Sequence, residues 1–251
     1  MLDRQRDPRT KPASSAKPAG KAKRAPAKRR STRQASPEAS VDPEANTRER
    51  IMQAAEALFA EDGFDAVSMR DITAMAKVNL ASVNYHFGSK MALLAEVVAS
   101  RANVLAEQRL KLLGEVERGR GGKPVLEGVI AAFLRPAFEM SLQPGGVHHM
   151  RLRARLAVER VGMTKSQFEQ IFDASNQQFI DALAEALPDY PRAEIYWGFH
   201  CLLGVVVYTM ANSGRIQHLS NGACDPRDVE AMLARVVPFV AEGFRALGKR
   251  G

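Results

Sequence analysis

The stretch that decides the fold runs Ser68-Met69-Arg70-Asp71-Ile72-Thr73-Ala74-Met75-Ala76-Lys77-Val78-Asn79-Leu80-Ala81-Ser82-Val83-Asn84-Tyr85-His86-Phe87-Gly88-Ser89-Lys90. Ser68 with Asp71 three residues on is a capping-box signature, and it predicts a short helix that turns Ile72 and Ala76 inward and ends near Lys77. Lys77-Val78-Asn79 is a tight connection into another short helix, Leu80 to His86, anchored by Val83 and Phe87. Two short helices joined in this way form a helix-turn-helix candidate over 68–87, in which the second helix enters the major groove of DNA.

The side chains left outside fit that reading. Arg70, in the first turn of its helix, can reach a phosphate or chelate a guanine edge, while Ser68 offers a hydroxyl and a helix N-terminus to phosphate. Around the outer face of the next helix, Ser82 and Asn84 can read base edges, and Tyr85 and His86 can bond phosphates or pack on sugars. Ala81 is small enough for close approach, and Lys90 is placed to clamp a phosphate. The candidate DNA-binding residues are therefore Ser68, Arg70, Ala81, Ser82, Asn84, Tyr85, His86 and Lys90.

Upstream, Asn46 with Glu49 can cap a helix whose Ile51, Ala54, Ala55, Leu58 and Phe59 share one face, and Gly63 stops it. Phe64 and Val67 continue the core. Downstream, the apolar spacing predicts only helices, at about 90–113, 124–142, 147–160, 164–187, 191–213 and 226–247, and no period-two pattern is sustained anywhere. Asp225 with Pro226 reads as the cap of the last helix, and Pro238 as a kink within it. The fold class expected is all-α: an N-terminal three-helix domain at 45–105 and a C-terminal helical bundle at 106–251.

The 251 residues carry a net charge of +8, which points to a polyanionic partner, but the charge is unevenly placed. Residues 1–35 hold 12 Lys and Arg against two acids, whereas 36–251 hold 24 against 26. Residues 1–44, rich in Lys, Arg, Ala and Pro, lack the apolar side chains that would offset the entropy of ordering them, and are expected to form a disordered basic tail. Cys201 and Cys224 make no disulfide framework and suit a reducing cytoplasm. The longest apolar run, Leu202–Val207 broken by Gly204, falls short of the ~20 residues of a membrane helix, so a soluble protein without a membrane partner is expected.

Taken together, residues 45–105 resemble the DNA-binding domain of the TetR family of bacterial transcription regulators (AcrR-like). The matching runs are Ser68–Ala76, Val78, and Val83–Lys90, with Ile51–Phe59 and Glu61–Phe64 similar to that family's first helix and its glycine stop. Lys77 departs from the family's usual turn glycine and Asn84 from its usual tyrosine. The resemblance implies a homodimeric repressor, held on a pseudo-palindromic double-stranded operator in the bacterial cytoplasm and nucleoid, and released by a small hydrophobic effector. Effector binding would shift the helix that begins at Lys90 and so change the distance between the two recognition helices. The resemblance also implies that the last two helices pair with their twins, and Val205, Tyr208, Leu233, Val237 and Val240 are the interface candidates. Tyr196–Gly204 and Val237–Arg245 are further similar to the branch that senses long-chain fatty acids or their CoA esters. Candidate pocket residues are Phe133, Phe138, Met150, Leu156, Phe168, Phe172, Trp197 and His200. Arg151, Arg153 and Arg155 are placed to set a cation at the pocket mouth.

Catalytic signatures are missing from the sequence: it has no G-x-S-x-G elbow and no G-x-G-x-x-G, and Gly122-Lys123 lacks the upstream glycine of a phosphate loop. His148-His149 has no metal-ligand spacing. No enzymatic activity, cofactor or metal is expected.

Overall fold

Ten α-helices run through the residues that the structure, a computed structural model, describes: 43–158, 165–211 and 213–248. They are α1 (Pro43–Asp62), α2 (Met69–Ala76), α3 (Leu80–Phe87), α4 (Lys90–Gly114), α5 (Leu126–Ser141), α6 (Gly146–Val158), α7 (Lys165–Ala186), α8 (Arg192–Ala211), α9 (Ser213–Leu219) and α10 (Val229–Leu247). Among the described residues there is no strand, only one isolated bridge between Arg118 and Pro124 beside a 3₁₀ turn at Arg120–Gly122. The class is all-α. Residues 1–42 of the tail expected at 1–44, and the side chains of Phe168 and Phe172, lie outside the description, while Pro43 and Glu44 belong to α1 and not to the tail.

Three local expectations are corrected. Asn46 does not cap α1; it lies within the helix, which starts at Pro43, a residue suited to a first turn because it has no N–H to satisfy. Asp228, not Asp225, caps α10, accepting from the Ala231 N–H at 2.9 Å, while Asp225 is bound to the Arg227 side chain. Past the break read at Ser213-Gly214 the chain forms another helix, α9.

The described residues make one compact unit with two apolar clusters inside it. The first gathers Ile51, Phe59, Ile72, Val83, Phe87, Leu93, Leu94 and Val97 from α1 to α4 and borrows Leu152 from α6. The second gathers Leu105, Phe133, Phe138, Phe179, Phe199, Leu233 and Phe244. Because α4 feeds both clusters, one unbroken helix joins them. The outer joint is α1 against α6, where Glu56 Oε1 lies 3.1 Å from His149 Nδ1, and Glu61 pairs with Arg151.

The residues that build α8 pass, by length and composition alone, as a membrane-crossing helix over Arg192–Met210, which counting the apolar run did not anticipate. Here Ile195, Phe199, Leu202, Val206 and Met210 pack into the second cluster. The opposite side of α8 is apolar and bare.

Candidate nucleic-acid interface

The helix pair is set by its caps. Ser68 Oγ accepts from the Asp71 N–H at 3.2 Å, and Asp71 Oδ2 receives the Ser68 N–H at 2.8 Å and its hydroxyl at 2.6 Å. These donors hold the Asp71 carboxyl below the usual range, the Ser68 hydroxyl contributing most. Ser68 is the cap of α2, and its hydroxyl is engaged with Asp71 while the residue stays exposed.

At the other end of α2, Lys77 adopts the left-handed conformation, φ 54° and ψ 48°, and the Val78 N–H reaches back to Thr73 O at 3.1 Å. Such a conformation costs a residue with a Cβ about 1–2 kcal/mol relative to glycine. Arg50 of α1 supports the turn by donating to the carbonyls of Ala76 and Lys77, the latter at 2.9 Å. Asn79 then caps α3, its Oδ1 taking the Ser82 N–H at 2.7 Å and the Ser82 hydroxyl at 3.0 Å. Arg50 and Asn79 stand outside the set of candidate DNA-binding residues, although Asn79 three residues before Ser82 is a recognisable capping pattern.

Val83 and Phe87 fix α3 to the first cluster, and this leaves Ala81, Asn84 and Tyr85 facing out, Tyr85 with 77% of its surface exposed. Ser82 and His86 are half-buried, and the His86 ring packs edge-on to Tyr85 with centroids 5.2 Å apart. Arg70 is exposed on the neighbouring α2 and Lys77 in the turn between them. Lys90 is a correction. Its ammonium donates to Phe64 O and Val67 O, each at 2.8 Å, and sits 4.2 Å from the Phe64 ring centre, so it ties α4 to the segment before α2 and is not turned out as a phosphate clamp.

The model for bacterial regulatory proteins of the tetR family matches residues 51–97, and that for the tetracyclin repressor-like C-terminal domain matches 131–243, between them more than half of the chain. The chain belongs to the TetR family. A probable HTH-type transcriptional regulator, YttP of Bacillus subtilis (strain 168), is 35% identical over 54 residues, 22% of this chain and 26% of that one. The match thus spans about a quarter of that relative's length. Among solved structures, the fatty acid degradation regulator FadR from Bacillus halodurans is similar with a TM-score of 0.58 at 13% identity, over 78% of this chain and 98% of that one. A TetR-family transcriptional regulator from Bordetella parapertussis 12822 gives 0.57 at 18% identity, over 78% and 94%.

In this TetR-family chain the C-terminal candidates divide. Phe133, Phe138 and Met150 are buried in the second cluster. Leu156 packs on the first cluster instead, and Trp197 and His200 are exposed on α8, so none of these three faces the interior of the C-terminal bundle. Arg151 and Arg155 reach Glu61 at the end of α1 and fasten α6 to it, so neither stands at a pocket mouth. Of the dimer candidates, Leu233, Val237 and Val240 are buried in their own chain's core, Val205 is half-buried, and only Tyr208 is exposed. The bare apolar positions are Tyr208 together with Trp197, Cys201 and Gly204 on α8, and Phe239, Gly243 and Ala246 on α10, continuing the half-buried Met232 and Val236. Both sets recur at alternating three- and four-residue intervals, the spacing of a helix–helix seam. Beside them lies a groove of about 590 Å³, with Tyr208, Ile216, Leu219, Met232 and Val236 among its walls.

Proposed function

We propose that this TetR-family protein is a homodimeric DNA-binding repressor acting in the bacterial cytoplasm, with 45–105 as its operator-binding part and 106–251 as its effector and dimerisation part. The observation that carries the reading is α3, a short, doubly capped helix whose exposed Ala81, Asn84 and Tyr85 stand clear of the body, with Arg70 and Lys77 beside them. In each half-site α3 occupies the major groove: Asn84 reads a base edge, Tyr85 and His86 contact backbone or thymine methyls, and Arg70 and Lys77 meet phosphates.

The second copy is required by geometry. One recognition helix of eight residues covers too few base pairs for operator selectivity, whereas two, spaced one helical turn of DNA apart, read a pseudo-palindrome. The seams on α8 and α10 support the pairing. At Gly204 and Gly243 an added Cβ would meet nothing within 4 Å, which leaves room for close approach of a twin helix. The effector is small and hydrophobic, a long-chain fatty acid or its derivative, on the likeness of 196–204 and 237–245 to the fatty-acid-sensing branch.

Footprinting on the DNA flanking the protein's own gene tests the reading. At physiological salt the wild type is expected to protect two half-sites related by a two-fold axis, and Tyr85→Ala to lose them. Uniform, sequence-independent coating removed by deleting residues 1–40 would replace the operator reading with nonspecific binding by the tail.

A further inference from the structure

The second cluster contains a charge that the reading so far does not use. Arg109, on α4, is 2% exposed. Its Nε donates to the carbonyl of Phe133 on α5 at 2.8 Å. Its guanidinium lies 3.7 Å from the centre of the Phe133 ring, which in turn meets Phe179 at 5.0 Å and Phe199 at 5.2 Å. Among the described residues Nη2 has no hydrogen-bond partner and no carboxylate is paired with the group.

A guanidinium keeps its proton in a protein, so the cost of burying it falls on the folded state unless an anion meets it. The surroundings sharpen the demand. Burial, and then the charge of Arg153, push the Arg109 pKa well down, and burial takes that of Arg153 to about 10. His149, one turn before Arg153 on α6, is 1% exposed and has an Nε2 without a partner. Among the described residues Glu56 is the buried carboxylate, and it already serves His149 and, at 3.6 Å, Arg101.

We propose that Arg109 is the anchor for the carboxylate of a free organic acid whose apolar chain lies among Phe133, Phe179 and Phe199. The inference deepens the effector reading above and rests on it. It also chooses between the two effector forms carried by that reading. A CoA thioester has no negative charge at its acyl end, and its phosphates are too large and too hydrated for a site this deep, whereas a lone carboxylate can take a charge-assisted hydrogen bond from the unpartnered Nη2 of the buried guanidinium. Phe133, Phe179 and Phe199 are buried, so the acid reaches Arg109 by a displacement of the helices that cover them, α4 and α5 among them.

Calorimetric titration of the full-length protein, without DNA, with dodecanoate, 1-dodecanol and dodecanoyl-CoA tests this. Dodecanoate is expected to bind about 30-fold more tightly than the alcohol or the thioester. Arg109→Met should bind acid and alcohol alike and melt no lower than wild type. The proposal is overturned if wild type does not bind dodecanoate, if the alcohol or thioester binds as well as the acid, or if Arg109→Met keeps the preference for acid. Should that variant not fold, the wild-type comparison alone decides. Operator binding is measured in parallel without ligand: its failure beside an intact acid preference removes the DNA reading and leaves this one, and the converse removes only this one.

Discussion

Tyr85 and Lys90 lie five residues apart in the same basic, polar stretch and do opposite work. Tyr85 stands out into solvent, so Tyr85→Ala should weaken operator binding by about 1–3 kcal/mol per subunit and leave the melting temperature unchanged. Lys90 spends its ammonium on two backbone carbonyls, so Lys90→Met should lower stability by roughly 1–3 kcal/mol in a denaturant titration. The composition of 68–90 shows that cations and polar groups gather there, but not which of them the fold consumes. That depends on Phe64 and Val67, carbonyls whose position is set by packing across the first cluster. Lys77 was legible as a departure at a glycine position, and the left-handed backbone found there makes it testable: Lys77→Gly should stabilise the fold by about 1 kcal/mol while weakening DNA binding, if the lost cation meets a phosphate.

At the scale of elements, apolar periodicity placed every long helix because burial of one face is what forms them. It failed where a helix has two apolar sides. Leu233, Val237 and Val240 have the same residue types as the bare positions on α8 and α10, and only three-dimensional packing separates inward from outward. The α8–α10 contact is close enough to test. A Cβ on Gly198 would come within 2.2 Å of Phe244 Cε1, so Gly198→Ala should cost about 1–3 kcal/mol, read by urea unfolding. The α1–α6 joint has its own signature. Burial lowers the His149 pKa below its ordinary 6.5, and Arg153 and Arg101 add to this against the opposing hydrogen bond and charge of Glu56. The unfolded chain therefore takes up this proton first on acidification. The stability that the neutral ring contributes is full above about pH 6.5 and is lost as pH falls toward the folded value. Stability measured from pH 7 to pH 5 should drop more steeply in wild type than in His149→Gln.

For the whole molecule, the two parts of the charge have separate consequences. Deleting residues 1–40 removes the whole cationic surplus and should reduce the dependence of DNA affinity on salt while preserving operator preference. Association has a different handle. Phe239→Asp with Tyr208→Asp places charges on the bare seams and should yield a folded monomer by sedimentation velocity that no longer holds the operator, whereas Leu233→Asp, set in the core, should unfold the chain.

The grip of Lys90 also turns α4 into a lever. From Arg109 to Lys90 the helix runs nineteen residues, about 29 Å at its rise per residue, and its far end is latched to the backbone just ahead of α2. Each degree of tilt at the Phe133 end is therefore delivered as about 0.5 Å of travel at the DNA end, and about six degrees as 3 Å. The length of α4 thus sets the gear ratio, and the latch hands its travel to the segment ahead of α2. Lys90→Met would remove the latch and leave the packing of Leu93, Leu94 and Val97 in the first cluster to carry the movement alone.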